Sequence, residues 1–134
     1  MAKKIEENDF INDITRISCG ALIKGTIISK SDIRIDGTLE GNILLEGKLV
    51  LGEKARIVGK IVCKNADIWG TIEGDIYVKE RLEFKSVSNM KGNIKTSQLH
   101  IEAGALFNGT CEMIDEAFYN DYYNKFSESP EPKD

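Results

Sequence analysis

The side chains best suited to chemistry at neutral pH are few and scattered in this 134-residue sequence. His100 is the single histidine, and most acid–base chemistry near pH 7 depends on histidine. It lies between Leu99 and Ile101 in an alternating stretch, where it should point outward from a flat surface. Such a position favours a solvated histidine over a catalytic one. We therefore predict no catalytic residue, no metal site and no bound cofactor.

Three outward acidic residues are the remaining candidates for catalysis. Hydrolysis of a glycosidic bond requires two carboxyl groups held at a fixed separation. Stacked strands would align Glu40, Glu73 and Asp75 on one face. We interpret them as solvated surface charge.

Composition bounds the protein class. Hydrophobic residues make up 41% and charged residues 30%, which is typical of a soluble single domain of this length. The sequence has no run of 18 apolar residues and no secretory signal, so we predict a cytoplasmic protein. The net charge of −4 argues against a protein that binds nucleic acid through its phosphates. The odd cysteine count without a C-x-x-C motif predicts small buried hydrophobes, at Cys19, Cys63 and Cys111.

A repeat of about 17 residues organises the middle of the chain. Glycines of a Gly-x-apolar unit recur at steps of 16, 18, 15, 18 and 17 residues. They are Gly25, Gly41, Gly59, Gly74, Gly92 and Gly109. A second series recurs at steps of 16 or 17 residues, and all its members are candidates for burial. They are Cys19, Ile35, Leu51, Ile68, Phe84 and Ile101.

Apolar and polar residues alternate within each repeat, as in residues 33–43, which indicates strands with one buried face. The second series precedes the next repeat glycine by six or eight residues. An insertion of two keeps every inward side chain inward. Short alternating strands with glycine corners predict an all-β parallel β-helix of about six coils. The extra residue pairs are expected in corner bulges at 52–55, 85–88 and 103–105.

An antiparallel barrel or sandwich is the alternative fold. It requires a tight two-residue turn at every strand reversal. The Asp36-Gly37 pair fits such a turn, but it lies inside an unbroken alternating run. The pattern therefore favours the β-helix.

The flanking segments differ from the repeat region. We predict a flexible N-terminal tail at 1–16, the β-helix domain at 17–111, a short amphipathic helix at 112–126 and a disordered tail at 127–134. The helix is predicted because Ile114, Phe118, Tyr122 and Phe126 recur four residues apart. Our interpretation is that it folds back over the open end of the solenoid, and the alternative is that it docks a partner.

Three stretches of the repeat region resemble the bactofilins, a family of polymer-forming bacterial cytoskeletal proteins. They are residues 33–43 (IRIDGTLEGNI), 65–74 (NADIWGTIEG) and 104–111 (GALFNGTC). The resemblance covers roughly residues 17–113. It implies a right-handed β-helix between tails, and filaments formed by end-to-end stacking without nucleotide or metal.

The resemblance also implies particular contacts. The family's polymer contact involves a phenylalanine near the C-terminal end of the core, and Phe107 is the matching position. Family members are associated with cell shape and with enzymes that modify peptidoglycan, which are the partner class implied here. Many carry an N-terminal segment that touches the inner membrane. In this sequence Glu6 and Glu7 directly follow the short segment Met1–Ile5, which argues against direct membrane binding. The inner face of the cytoplasmic membrane is the alternative location.

The residues predict polymerisation independently. Monomeric solenoids protect their ends with polar capping repeats, and unpaired strand edges invite further strands. Neither end of this repeat region has polar caps, so we predict a homopolymer, with an isologous contact where two like ends meet. The predicted interface comprises apolar residues of the first and last coils: Ile17, Leu22, Ile23, Ile27, Leu99, Ile101, Leu106 and Phe107.

Two other function classes compete with the polymer. A β-helix acyltransferase would have hexapeptide coils of 18 residues, whereas the steps here run from 15 to 18. A monomeric scaffold would bind its partner through exposed aromatic residues, which are frequent contact anchors. The candidates for such contacts are Trp69, Tyr77, Phe118, Tyr122 and Phe126.

Overall fold

The computed structural model describes residues 14–128 of the chain. This part consists of nine strands followed by one helix. The strands are β1 (Ile14–Ile17), β2 (Leu22–Ser29), β3 (Asp32–Ile35), β4 (Thr38–Leu45), β5 (Lys48–Leu51), β6 (Arg56–Ile68), β7 (Thr71–Phe84), β8 (Asn89–Ile101) and β9 (Leu106–Met113), and the helix is α1 (Glu116–Glu128).

Every strand pair is parallel, and each segment pairs with the equivalent segment one repeat later. The chain therefore winds as a parallel β-solenoid, and the predicted fold class is confirmed. Each coil has three segments, which stack into three faces. We name the faces by the segments of the second coil. Face A contains residues 32–35, face B residues 38–41 and face C residues 42–45. Six coils result, of which residues 14–29 form the first and residues 98–113 the last.

The interior consists of columns of apolar side chains from successive coils. One column contains Ile35, Leu51, Ile68 and Phe84, each at most 1% exposed. Its first member is Ile17, which is in register with Ile35. The prediction of Cys19 as the first member was therefore wrong.

The cause is a four-residue corner in the first coil, residues 18–21. Because this corner is two residues longer than the corner after Ile35, the equivalent inward residue is Ile17, two positions before Cys19. The Ala21 N–H donates to the Ser18 carbonyl at 3.0 Å and closes this turn. Equivalent corners occur at 52–55, 85–88 and 102–105, where the sequence predicted bulges. Cys19 lies in the first corner and is exposed, as is Cys111 in the last coil, whereas Cys63 is buried as predicted.

The repeat glycines lie in register where face B bends into face C, with φ between +136° and +150°. This backbone conformation is strained for residues with a side chain. Space is a second constraint, because a Cβ on Gly59 would lie 1.7 Å from the carbonyl oxygen of Gly41. Gly25 has the same conformation, but a Cβ there would meet no atom within 4 Å. The column thus forces glycine wherever another coil precedes it.

The element boundaries differ from the prediction at both ends. Strand β1 begins at Ile14, inside the predicted tail, and β9 continues to Met113. Helix α1 begins at Glu116 because the Asp115 carboxylate caps it, accepting a hydrogen bond from the Phe118 N–H at 2.8 Å. The helix continues through Ser127 and Glu128, which were predicted as disordered. The other predicted tail residues lie outside the described range. Within that range, no helix has the length and apolar character needed to cross a membrane.

Paired alanine substitutions test the glycine column. Gly25→Ala adds only backbone strain, with an expected loss of about 1–3 kcal/mol in the free energy of unfolding. Gly59→Ala adds the clash with the Gly41 carbonyl, so we expect a loss of at least about 4 kcal/mol, well beyond an ordinary point substitution. Urea unfolding followed by circular dichroism measures both. Equal losses would show that steric contact along the column does not determine the register.

Candidate self-association surfaces at the ends and flank

The last coil presents an apolar surface at the C-terminal end of the solenoid. Leu106 is 59% and Ile101 38% exposed, whereas Leu99 and Phe107 are half-buried. Phe107 continues the interior column after Met90, with which it is in register. Leu99, Ile101 and Phe107 thus lie together at the ends of interior columns, whereas Leu106 points outward from face B of the same coil.

The first coil presents a matching surface at the opposite end. Leu22 is 56% exposed, Ile23 and Ile27 are half-buried, and Ile17 is 7% exposed. Ile17 is therefore the least available of the predicted interface residues. Leu22 and Leu106 occupy the same outward column of face B, in which the positions between them are polar: Thr38, Arg56, Thr71 and Asn89.

The backbone at both ends has open hydrogen-bonding edges among the described residues. Strands β1 and β2 pair only with strands of the second coil, and β9 pairs only with β8. Backbone N–H and C=O groups along such an edge can accept a further parallel or antiparallel strand. Within residues 14–128, each end therefore combines an uncapped apolar core with an edge that can continue the ladder.

Helix α1 packs on the flank of the solenoid, not over its end. On face C, Leu44 and Val62 point outward and are nevertheless 2% and 0% exposed. They are buried together with Tyr119 and Phe126 of α1. The interpretation that the helix closes the open end was therefore wrong, and the apolar outward residues of face C are the reason.

The aromatic residues of α1 match successive coils. Tyr122 stacks on Tyr77, with ring centroids 3.8 Å apart and planes 6° from parallel. Phe126 lies 5.7 Å from the Lys60 ammonium, one coil nearer the N-terminus. Four helical residues rise by about 6 Å, close to the strand spacing of about 4.8 Å. Three predicted partner contacts, at Tyr77, Tyr122 and Phe126, are therefore engaged within the chain. Phe118 is 44% exposed and has the Lys95 ammonium 6.0 Å from its ring centre.

Trp69 borders a recess at the corner between faces A and B. The corner of the second coil is narrow, because it has only two residues, 36–37. It lies between two four-residue corners, which leaves an open space of about 650 Å³. Its walls include Trp69 and the Arg34–Asp36 ion pair, whose atoms are 2.9 Å apart. The Lys85 ammonium lies 5.3 Å from the centre of the Trp69 ring. Trp69 thus remains a candidate for partner contact.

Coil stacking places Glu83 beside His100, and Glu102 follows His100 by two residues in the same coil. Ligand atoms of Glu83, His100 and Glu102 lie within 4.8 Å of one another. However, Glu83 accepts hydrogen bonds from Arg81 at 2.9 Å and Lys85 at 3.1 Å. The bond from Lys85 lowers the pKa of Glu83 below its usual value. Its negative charge is thus compensated by basic side chains, which disfavours its use as a metal ligand.

Comparison with known proteins identifies the family. A family model described as bactofilin, polymer-forming cytoskeletal, matches residues 15–112. The chain belongs to the bactofilin family. It is 30% identical over 99 residues to the bactofilin BacO of Myxococcus xanthus strain DK1622, covering 74% of this chain and 79% of that protein. It is 28% identical over 103 residues to BacP of the same organism, covering 77% of this chain and 43% of BacP.

Solved bactofilins share the solenoid. The structure of the cytoskeletal bactofilin BacA determined by solid-state NMR aligns with a TM-score of 0.69 and 25% identity, over 76% of this chain and 97% of BacA. The crystal structure of a mutant bactofilin from Thermus thermophilus aligns with a TM-score of 0.64 and 24% identity, over 67% and 100%. This chain is thus a bactofilin cytoskeletal protein. Helix α1 lies outside the range of residues that the family model matches.

The tyrosines between α1 and face C predict a loss of stability at high pH. Burial and the neighbouring Tyr122 raise the pKa of Tyr77 from 10.0 to about 12. Burial also raises the pKa values of Tyr119 and Tyr122. A raised pKa favours the neutral form in the folded state, so this stabilisation is complete below pH 10 and is lost as the pH rises to about 12. We expect α1 to detach over that range.

Tyrosinate absorbance and helical circular dichroism, recorded together, measure this transition. Tyr77→Phe should remove one of the late-titrating phenols and leave the others. If all tyrosines titrate near pH 10 while the helical signal stays constant, the packing of α1 on face C is not as described.

Proposed function

We propose that this bactofilin assembles end to end into filaments without nucleotide. The observation that carries the proposal is the pair of uncapped terminal coils, each with exposed apolar side chains and an open strand edge. The family's description as polymer-forming supports self-assembly. End contacts would extend the interior columns and the backbone ladder from one subunit into the next.

In this proposal, the interface comprises apolar residues of the two terminal coils. Two like ends meeting give an isologous contact, in which each residue faces a residue of the other subunit's same coil. Phe107 is central because it ends an interior column and would be covered by the neighbouring subunit. The other members are Ile17, Leu22, Ile23, Ile27, Leu99, Ile101 and Leu106.

We further propose that the filaments act as a cytoplasmic scaffold for cell shape. The partner class is enzymes of cell-wall synthesis, which follows from the resemblance to bactofilins. The recess beside Trp69 is our candidate contact for such a partner, because an aromatic wall beside charged groups is typical of contact anchors. The inner face of the cytoplasmic membrane remains the alternative location.

We infer that catalysis is not part of this function, because the Glu83 carboxylate beside His100 is already paired with basic side chains. The substitution His100→Ala should leave assembly unchanged, since the imidazole is exposed and lies on an outward face. Sedimentation of filaments and growth of cells carrying the variant check this. A loss of acyl transfer or of hydrolysis in the variant would restore the enzyme hypothesis.

The end contact is tested by Phe107→Arg. An arginine there would be buried without a partner on assembly, which costs about 3 kcal/mol or more. Association should weaken by roughly 100-fold. The monomer should keep its fold because the guanidinium reaches water at the free end. We expect the parent protein to sediment as filaments and the variant to remain a monomer or small oligomer with an unchanged circular dichroism spectrum.

Two controls add an arginine elsewhere. Asn108→Arg places it on the same coil but on the exposed outward side, and Glu40→Arg places it on the flank. Both should assemble nearly as well as the parent. Filaments of normal length from Phe107→Arg would exclude the end contact, and loss of fold would identify Phe107 as a core residue.

A further inference from the structure

One outward column of face C is apolar for four successive coils. Its members are in register along the solenoid axis, and we call them the flank strip: Ile28, Leu44, Val62 and Tyr77. The column then becomes charged, with Lys95 and Glu112. The neighbouring outward column of the same face contains only polar residues, namely Thr26, Asn42, Lys60, Asp75, Asn93 and Thr110. An apolar outer column is therefore not a requirement of the solenoid itself.

Helix α1 covers most of the flank strip but not all of it. Leu44 and Val62 are buried beneath the helix, whereas Ile28 in the first coil is 62% exposed. The helix is fixed at its start, because only two residues separate it from β9. Of these, Ile114 donates a backbone hydrogen bond to Thr96 at 3.0 Å, and Asp115 caps the helix. Helix α1 is thus held in this position by specific contacts of the fold.

We propose that the flank strip is a lateral self-association surface for a second copy of this chain, and that α1 is its intramolecular cover. A flat apolar row on a β-surface favours pairing with an equivalent row. A second copy fits this row best, because its own strip has the same spacing, one side chain per coil. In filaments, which the proposed function supplies, the strip recurs on every subunit, so weak contacts add along the length.

Charge strengthens the effect of the cover. Residues 112–134 contain seven acidic and two basic residues, a net charge of −5. In the described part, Glu116 and Asp121 lie on the exposed side of α1, and Lys125 forms an ion pair with Asp121 at 3.2 Å, so the acidic excess comes mainly from the other residues of this segment. The helix therefore replaces an apolar flank by an acidic one, and like charges oppose the approach of a second filament. With α1 in place, we expect single filaments instead of bundles.

The test releases α1 in the full-length chain. The variant Tyr119→Ser, Tyr122→Ser, Phe126→Ser removes the aromatic groups that hold the helix on face C. Asn120→Ser with Asn124→Ser, on the exposed side of the same helix, is the matched control. Electron microscopy should show bundles at least twice as wide as the parent's filaments in the first variant, and parent-like filaments in the control.

A second pair of substitutions identifies the surface. Adding Leu44→Thr and Val62→Thr to the released variant makes the two central members of the flank strip polar, with β-branched residues that suit strands. Filament width should return to that of the parent. Bundles that persist in this variant would place lateral contact elsewhere, and a released variant with unchanged width would overturn the proposal.

Mass measurements separate this proposal from filament formation. With Phe107→Arg added to each protein, sedimentation equilibrium reports lateral association without end contacts. The average mass should rise with concentration towards about twice the monomer in the released variant, and stay monomeric once the strip is polar. If the parent forms no filaments, the proposed function fails, while this comparison still decides the role of the strip. Equal masses for both variants would overturn it.

Discussion

The parallel hydrogen-bond ladder between coils is the interaction on which the rest of the structure depends. It holds equivalent residues of successive repeats in register. Each column therefore tends to contain residues of one type, such as glycine or apolar residues. The glycine column follows directly, because at the bend between faces B and C each coil leaves no room for a side chain on the next. The interior columns follow as well, since alternation places the same inward positions above one another. In the described part of the chain, both terminal coils lack a neighbouring coil on one side, and this is the physical origin of the candidate assembly surfaces.

The ladder also explains how much was predictable from the sequence. Period-two alternation and the glycine steps predicted a parallel solenoid and its core, because both patterns reflect contacts between equivalent residues. Cys19 was misplaced because it precedes Gly25 by six residues, the same spacing as between Ile35 and Gly41. The four-residue corner that puts Ile17 at the inward position was not recognised. The flank position of α1 was missed, although Leu44 and Val62 carried a signal: they are apolar at outward positions. The pairing of Glu83 with His100 was missed because Glu83 comes from the adjacent coil, whereas Glu102 follows His100 by two residues in the same coil.

The ends and the flank give this bactofilin two distinct kinds of surface. The ends are incomplete parts of the core, so any subunit with the same solenoid can continue them. The flank is largely covered within one chain, because α1 packs on it with stacked tyrosines and three lysine–aromatic contacts. The family model matches residues 15–112 and stops before α1. The shared solenoid thus supplies the ends, and a segment beyond it determines the character of one side.

The four-residue corners have a practical consequence for protein engineering. They project beside the narrow corners, as the recess next to Trp69 illustrates, and each is closed by its own local hydrogen bond. Reporter peptides inserted at residues 53–54 or 86–87 would leave the interior columns intact, provided that the chain re-enters the next strand with the same side chains inward. Successive coils are separated by about 4.8 Å. Groups attached to successive coils of the solenoid would therefore be spaced at multiples of this distance along its axis.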